Sequence, residues 1–297
     1  FRVSEEAWQK GGSKMFVEVN KDVAIEDLIR GVVIQSGNDA TIVLAEGLAG
    51  SENAFAAQLN SIAQNLGMAN NHFANASGWP DDNHYSTARD LGTLASAIIK
   101  NFPDYYHYYA EKEFTYNGIR QMNRNPLLLQ NIGADGVKTG HTESGGFGLI
   151  GSGIAKDGRR VIIVLNGLDS LKARAQESKK LLVWGMENFE NKHVFDAGAT
   201  ITTAPVIYGQ QKQIALAVQS PLDITIPKNS AEKVKIKTDY QSPIIAPVKK
   251  GDTIGTLTVS IPGQPDVTTP LIAAEDIEEQ GIFGKTVSKL KHLISGA

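Results

Sequence analysis

The sequence contains no cysteine, which excludes disulfide bonds, thiolate catalysis and cysteine-based metal sites. Its six histidines show no H-E-x-x-H or comparable spacing, so we expect neither a metal nor another cofactor. No apolar run reaches the roughly 18 residues that are needed to cross a bilayer. The formal net charge of −3 gives no strong basic field, so nucleic acid is not expected as a partner.

The chain of 297 residues, 41% of them hydrophobic, has room for two ordinary domains. Its composition changes near residue 195. Between residues 200 and 270 it is rich in Val, Ile, Thr and Pro in short alternating runs, which is typical of a small all-β module. We therefore predict a domain of helices and sheet over 1–195, an all-β domain over 196–274 and a terminal segment over 275–297.

Two helices are predicted on either side of Ser36-Gly37-Asn38. Ile25, Leu28 and Ile29 share one helical face, and residues 40–48 are apolar and compatible with a helix. The intervening Ser, Gly and Asn break the periodic pattern. The triplet is therefore predicted to lie on a turn between two largely buried helices.

A long loop is predicted over residues 68–86, which are rich in Asn, Asp, Ser and Gly; loops of this length are often functional. Thr87 has the pattern of a helix cap. The Tyr-rich stretch 105–109 and Phe114-Thr115-Tyr116 suggest a short strand or an ordered loop, and Asn117-Gly118 indicates a hairpin. Asp169 or Ser170 is expected to cap a later helix, whose packing face would include Leu181, Leu182, Gly185, Met186 and Phe189.

Lys138-Thr139-Gly140 offers a fixed positive charge, a hydroxyl group and a backbone that a ligand can approach closely. The β-prone residues 146–165 around Asp157-Gly158 predict that this stretch lies on a strand paired with a hairpin. A triplet this short arises readily by chance. The simpler alternative is a lysine on an exposed strand edge.

The combination of S-G-N and K-T-G is more specific than either triplet. Ser36 and Lys138 are 102 residues apart (138 − 36), one on an interhelix turn and one on a strand. Together with an S-x-x-K motif, S-x-N and K-T-G mark the serine acyl-transfer enzymes that react with penicillin.

With these residues, the chain resembles the D-alanyl-D-alanine carboxypeptidases, which are low-molecular-mass penicillin-binding proteins of types 5 and 6. The resemblance implies an α/β (α+β) transpeptidase-like domain, with an antiparallel sheet flanked by helices, then an all-β domain and a C-terminal amphipathic helix. It runs nearly end to end and rests on residues 28–31, 36–40, 86–90, 111–121, 135–142, 177–182 and 283–285.

The resemblance implies removal of the terminal D-alanine of a peptidoglycan pentapeptide through an acyl-enzyme, with β-lactams as acylating inhibitors. In that mechanism a serine attacks the peptide carbonyl, helped by a lysine one helical turn further on. Ser36 would relay protons toward the leaving amine, and Asn38 would hydrogen-bond the substrate backbone. Lys138 would favour the developing negative charge.

The remaining residues carried over from the family are expected to hold the substrate. Thr139 and Gly140 would receive the terminal carboxylate and the chain, and the backbone N–H of His141 would contribute to the oxyanion hole. Arg174 corresponds to an arginine thought to help bind the carboxylate. The alternative for Arg174 is a solvated helix residue.

The family pattern also implies a periplasmic protein attached to the surface of the inner membrane. Phe283, Val287, Leu290 and Ile294 recur at steps of 4, 3 and 4, with lysines on the other faces. Such a basic amphipathic segment can lie on an anionic membrane. The alternative is a helix docked on the β module.

One element of the pattern is missing, because no S-x-x-K precedes Ser36. The downstream matches at 230–233 and 288–291 fall in the β-rich module and the tail, where neither can supply the nucleophile. The first residues show neither an initiator Met nor a signal-peptide pattern. We expect the nucleophile, its lysine and the first sheet strands before Phe1; a truncated, inactive product is the competing explanation.

Two other functions fit part of the pattern. A class A β-lactamase shares the three motifs, but residues 68–86 contain no E-x-x-L-N for a glutamate-activated water, and it would lack residues 200–297. A catalytically inactive peptidoglycan-binding or regulatory protein would keep the same cleft and use the β module for contacts.

Overall fold

A computed structural model of the protein describes residues 1–281, and the chain divides into two compact units. The first unit comprises Phe1–Glu187, and the second begins at Asn188. The domain boundary predicted from composition, residue 195, is the last residue of the first strand of the second unit. Among the described residues, no helix is both long and apolar enough to span a bilayer.

Six α-helices lie in the first unit, together with 3-10 turns at Pro103–Ala110 and Pro126–Leu129. The α-helices are α1 Glu5–Gln9, α2 Ile25–Val33, α3 Asn38–Ala49, α4 Glu52–Asn65, α5 Ala88–Asn101 and α6 Leu171–Glu187.

Thirteen strands are formed by residues 1–281, the first five in the first unit. They are β1 Glu113–Tyr116, β2 Ile119–Met122, β3 Ala134–Thr142, β4 Gly146–Ile154, β5 Arg160–Leu168, β6 Phe189–Phe195, β7 Thr200–Ile207, β8 Gln213–Val218, β9 Leu222–Pro227, β10 Lys235–Tyr240, β11 Ile244–Ile245, β12 Thr253–Ser260 and β13 Val267–Ala273.

The main sheet of the first unit is antiparallel and has the order β3-β4-β5. Successive residues of a strand point to opposite faces, and β5 shows this alternation. Ile163 packs with Leu182 of α6 on one face, whereas Val164 faces Gly92 of α5 on the other. Helices therefore flank the sheet on both faces, as predicted, and β3 forms one edge.

The helical part of the first unit has its own apolar core. Leu28 of α2 and Ile42 of α3 are fully buried there beside Met15. Burial of such side chains contributes roughly 1.5–3 kcal/mol each. This core fixes the angle between α2 and α3 and, with it, the position of the turn that joins them.

The second unit is all-β, as the composition indicated. Its larger sheet has the order β10-β12-β13-β8-β7-β11, and β6 pairs with β9 in a separate two-stranded ribbon. The inward-facing residues of these strands form one core, which includes Leu216, Ile226, Leu257 and Leu271. The predicted mixed domain followed by an all-β domain is confirmed.

Two local predictions were wrong. Of the two stretches predicted as a short strand or an ordered loop, 114–116 does form strand β1, whereas the Tyr-rich stretch 105–109 belongs to a 3-10 turn that starts at Pro103. Proline favours this start because it fixes φ near its helical value at a first helical position. Phe189 opens β6 and pairs with Pro227 instead of extending the packing face of α6. The predicted amphipathic helix at 275–297 falls largely on residues 282–297, which lie outside the described residues.

Candidate active site

Ser36 sits on the predicted turn between α2 and α3. Its φ of 56° is left-handed, which costs a non-glycine residue roughly 1–2 kcal/mol. The turn is closed by a hydrogen bond from the N–H of Gly37 to the carbonyl of Gly31 at 2.9 Å. A Cβ at Gly37 would lie 2.9 Å from the backbone nitrogen of Met15, so only glycine fits this close approach. Packing therefore holds Ser36 in a strained conformation that aims its side chain outward.

Asp39, which follows the triplet, fixes a neighbouring backbone segment against it. Its buried carboxylate accepts hydrogen bonds from the backbone N–H groups of Met15, Phe16 and Val17 at 2.8, 2.9 and 3.2 Å. Hydrogen bonds to an ionised acceptor are roughly twice as strong as neutral ones. Asp39 was not singled out from the sequence, although an acidic residue in the first turn of a helix is a visible signal.

Residues 11–13, which precede the segment bound by Asp39, are small and lie beside Asn38. The backbone N–H of Asn38 donates to the carbonyl of Ser13 at 2.8 Å, and its Nδ2 donates to the carbonyl of Gly11 at 2.9 Å. These bonds fix the orientation of the Asn38 side chain. Residues 11–13 therefore form part of the wall that contains Ser36 and Asn38.

Lys138 lies on β3 and faces this wall. Its Nζ donates to Ser36 Oγ at 2.9 Å and to the carbonyl of Thr139 at 3.0 Å. The structure thus brings together the two motifs that are 102 residues apart in the sequence. The alternative of a free lysine on an exposed strand edge does not describe this half-buried side chain.

Three cations surround the cleft between these walls. Burial, together with the positive charges of Arg124 and Arg174, lowers the pKa of Lys138 to about 8. Burial and the charge of Arg124 also lower the pKa of Arg174. Within residues 1–281 none of the three forms an ion pair. The site is consequently prepared for an anion.

Arg174 is buried, with 5% of its surface exposed, and it is not a solvated helix residue. Its Nη1 donates to the carbonyl of Gly140 at 3.3 Å, and its guanidinium lies 5.6 Å from the ring of Phe147. His141 stacks on that same ring at 4.0 Å between centroids. The Nε of Arg174 is buried without a partner in the described part of the chain. A hydrogen-bond donor therefore remains available beside the end of β3.

All seven residues predicted from the sequence meet in one cleft of about 1090 Å³, and Thr139, Gly140 and His141 line it together with Lys138. Sequence reasoning missed Arg124, whose Nη1 donates to Ser13 Oγ at 2.6 Å. No local pattern marks this arginine. Within residues 1–281, no group of His, Cys, Asp and Glu is placed to hold a metal ion.

The charges of the cleft predict a pH dependence. Because the pKa of Lys138 is lowered to about 8, its amine is mostly protonated at pH 7 and mostly neutral at pH 9. We expect the rate of acylation by penicillin to fall as the pH rises through this range. Arg124→Gln removes a neighbouring positive charge, so it should raise the pKa of Lys138 and move the falling limb up by about half a pH unit.

The measurement is the acylation rate as a function of pH in the full-length protein. The variants are compared by the pH at which the rate has fallen to half, not by the maximum rate. Arg120→Gln is the matched control, since that exposed arginine pairs with Glu113 on the β1–β2 hairpin. An unchanged midpoint in Arg124→Gln would contradict the electrostatic coupling of Arg124 to Lys138.

A serine of an S-x-N turn that is hydrogen-bonded to the lysine of a K-T-G strand, in a cationic cleft, is typical of the serine acyl-transfer enzymes. Comparison with known proteins narrows this class. The sequence model of D-alanyl-D-alanine carboxypeptidase, peptidase family S11, matches residues 1–169, and that of the penicillin-binding protein 5 C-terminal domain matches residues 189–279. The chain belongs to the D-alanyl-D-alanine carboxypeptidase family.

Individual relatives agree. The D-alanyl-D-alanine carboxypeptidases DacA of Haemophilus influenzae and of Escherichia coli K12 are 39% and 37% identical to this chain, covering 95% and 97% of it and 73% of their own lengths. The crystal structure of penicillin-binding protein 5 from Haemophilus influenzae superposes with a TM-score of 0.84 at 38% identity, covering 94% of this chain and 82% of that one.

These similarities confirm the resemblance seen in the sequence and the expected class of serine hydrolase. They do not support the β-lactamase or the inactive binding protein. The match of residues 189–279 to a domain named for penicillin-binding protein 5 also accounts for the all-β unit.

Proposed function

We propose that this protein removes the terminal D-alanine from peptidoglycan pentapeptides in the periplasm through an acyl-enzyme, and that β-lactams acylate it. The observation that carries the proposal is the 2.9 Å hydrogen bond between Lys138 Nζ and Ser36 Oγ, inside a cleft whose cations form no ion pair with any described residue. The family pattern assigns the attack on the peptide carbonyl to the serine of an S-x-x-K motif.

The contact between Lys138 and Ser36 supports a role for Ser36 in proton transfer. The ammonium group of Lys138 donates a hydrogen bond to the Ser36 oxygen, so the hydroxyl hydrogen of Ser36 remains free to be donated to another group. Ser36 would pass that proton to a leaving amine and recover one that the attacking serine releases through the lysine of the S-x-x-K motif. The positive charge of Lys138 would stabilise negative charge on the reacting atoms.

The residues at the end of β3 support binding of the substrate's terminal carboxylate there. Thr139 contributes a hydroxyl, and the buried Arg174 beside Gly140 contributes a charge and an unpartnered donor. A peptide lying extended along the edge of β3 would place its carboxylate at this end. Its carbonyl oxygen would then face the backbone N–H of His141, and its chain would lie within reach of the Asn38 amide.

The test is to incubate the full-length protein with fluorescent penicillin and, separately, with a D-Ala-D-Ala pentapeptide. We expect covalent labelling, slow release of the label and release of D-alanine. Labelling without D-alanine release would favour a penicillin-binding protein that is not a carboxypeptidase. Absence of both in a chain that carries an S-x-x-K motif would refute the proposal.

We also propose that the C-terminal segment attaches the protein to the membrane surface. The proposal rests on the spacing of Phe283, Val287, Leu290 and Ile294 and on the intervening lysines. Deletion of residues 282–297, which spares the buried Ile277 of the all-β unit, should move the protein from the membrane fraction to the soluble fraction after cell lysis. Unchanged membrane association of the deletion variant would refute the anchor.

A further inference from the structure

A tryptophan, Trp79, projects from the long loop over residues 68–86 and lines the cleft. It is 46% exposed, which is high for the largest apolar side chain. An exposed aromatic ring in the same cleft as Lys138 and the two arginines is not required by the proton transfer or the carboxylate binding described above. It therefore calls for a separate explanation.

The loop holds Trp79 in a fixed position. Asn75 Oδ1 accepts hydrogen bonds from the backbone N–H groups of Gly78 and Trp79 at 2.8 and 3.0 Å, and Asn75 Nδ2 donates to the Trp79 carbonyl at 2.8 Å. The backbone N–H of Ala76 donates to Glu52 on α4 at 3.0 Å. The exposed ring is consequently presented on a well-anchored loop.

The indole ring of Trp79 packs against Gly11 and Gly12, which belong to the cleft wall formed by residues 11–13. A Cβ at Gly12 would lie 3.0 Å from Trp79 Cζ3 and 2.7 Å from Asn38 Nδ2. Gly12 thus separates the indole from the Asn38 amide by the width of one backbone. Lys10 Nζ, which pairs with Glu52, lies 5.9 Å from the centre of the ring. Trp79 and Asn38 are therefore neighbours along one wall.

The direction of the substrate follows from the proposed function, on which this inference rests. The terminal carboxylate would occupy the end of β3 near Arg174, and Asn38 would bond the backbone on the acyl side of the scissile peptide. Trp79 adjoins Asn38 through Gly12, so it faces the residue that precedes D-Ala-D-Ala. In peptidoglycan stems this residue is a diamino acid with a straight chain of methylene groups.

We propose that Trp79 is a specificity-determining residue whose indole packs against the methylene chain of the residue before D-Ala-D-Ala. A flat aromatic face suits an extended aliphatic chain, because it buries methylenes while the polar end of the chain stays in water. Burying one or two methylene groups corresponds to about 4- to 15-fold in affinity at 25 °C.

The test compares two peptides in the full-length protein, diacetyl-L-lysyl-D-Ala-D-Ala and acetyl-L-alanyl-D-Ala-D-Ala. We expect kcat/KM for D-alanine release to favour the lysyl peptide by about tenfold. Trp79→Ala should reduce that preference to about twofold or less and leave the alanyl peptide nearly unaffected. Trp79→Phe should retain part of the preference for the lysyl peptide. The matched control is Trp184→Ala, which replaces an exposed tryptophan on α6 and should keep the full preference.

Equal losses for both peptides in Trp79→Ala would overturn the inference and assign Trp79 to positioning the loop. An unchanged preference would overturn it as well. If the parent protein released D-alanine from neither peptide, the proposed function itself would fail. That last result is distinguishable, because it is independent of any substitution at Trp79.

Discussion

Lys138→Ala should abolish labelling of the full-length protein by fluorescent penicillin, with acylation slowed by about a hundredfold or more. The substitution removes the donor to Ser36 Oγ and the central charge of the cleft. Without them, Ser36 loses its orientation and the developing negative charge loses its nearest cation. The measurement is the rate of covalent labelling at pH 7, where the parent amine is mostly protonated.

A loss of labelling could also result from unfolding, and the structure supplies a check. Burial lowers the pKa of Lys138 to about 8, which means that the charged amine is less stable in the folded protein than in water. Replacing it with alanine removes this cost, so the unfolding temperature should equal or exceed that of the parent. Lys156→Ala, in the exposed turn before β5, is the control for loss of a surface lysine. Retained labelling in Lys138→Ala would contradict the role given to this residue.

Asp39→Ala should cost about 3–5 kcal/mol in the free energy of unfolding and lower the unfolding temperature by about 10 °C. The change leaves the backbone N–H groups of Met15, Phe16 and Val17 without their acceptor. These groups are partly or fully buried, so water replaces the carboxylate only in part. Penicillin labelling should fall too, because the same segment positions Ser13 beside Asn38.

Thermal or urea unfolding measures the loss in the free energy of unfolding. Asp39→Asn serves as an intermediate variant. The asparagine keeps one acceptor oxygen and the shape of the side chain, so its cost should be clearly smaller. Asp82→Ala, an exposed carboxylate on the long loop, should change stability by less than about 0.5 kcal/mol. Equal stability of Asp39→Ala and the parent would refute the stabilising role given to the hydrogen bonds between Asp39 and the backbone of residues 15–17.

The sequence predicted seven of the residues that line the cleft, because all but Arg174 fall in or next to short motifs with a fixed chemical meaning. Ser36 and Lys138 could be paired from the turn and strand patterns around them, although 102 residues separate them. Their distance, 2.9 Å, depends on how α2 and α3 pack on Leu28 and Ile42. That packing is a tertiary property, which no local pattern contains.

Other residues could not be found from the sequence for the same reason. Arg124 reaches Ser13 and influences Lys138 only after the chain has folded. Trp79 was seen within a loop expected to be functional, but its contact with Gly12 was not foreseeable. The Tyr-rich stretch was misjudged because aromatic residues favour strands in general, whereas a proline at position 103 started a turn.

The open edge of β3 has a consequence for the behaviour of the protein in solution. A strand edge that can receive an extended substrate can equally receive a strand from another molecule, and such edges are common starting points of aggregation. Lys138 on this strand and Arg174 on α6, whose Nη1 reaches the carbonyl of Gly140, form no ion pair within residues 1–281. Two such edges repel each other, so the charges that would attract an anionic peptide end also keep copies of the enzyme from joining their sheets.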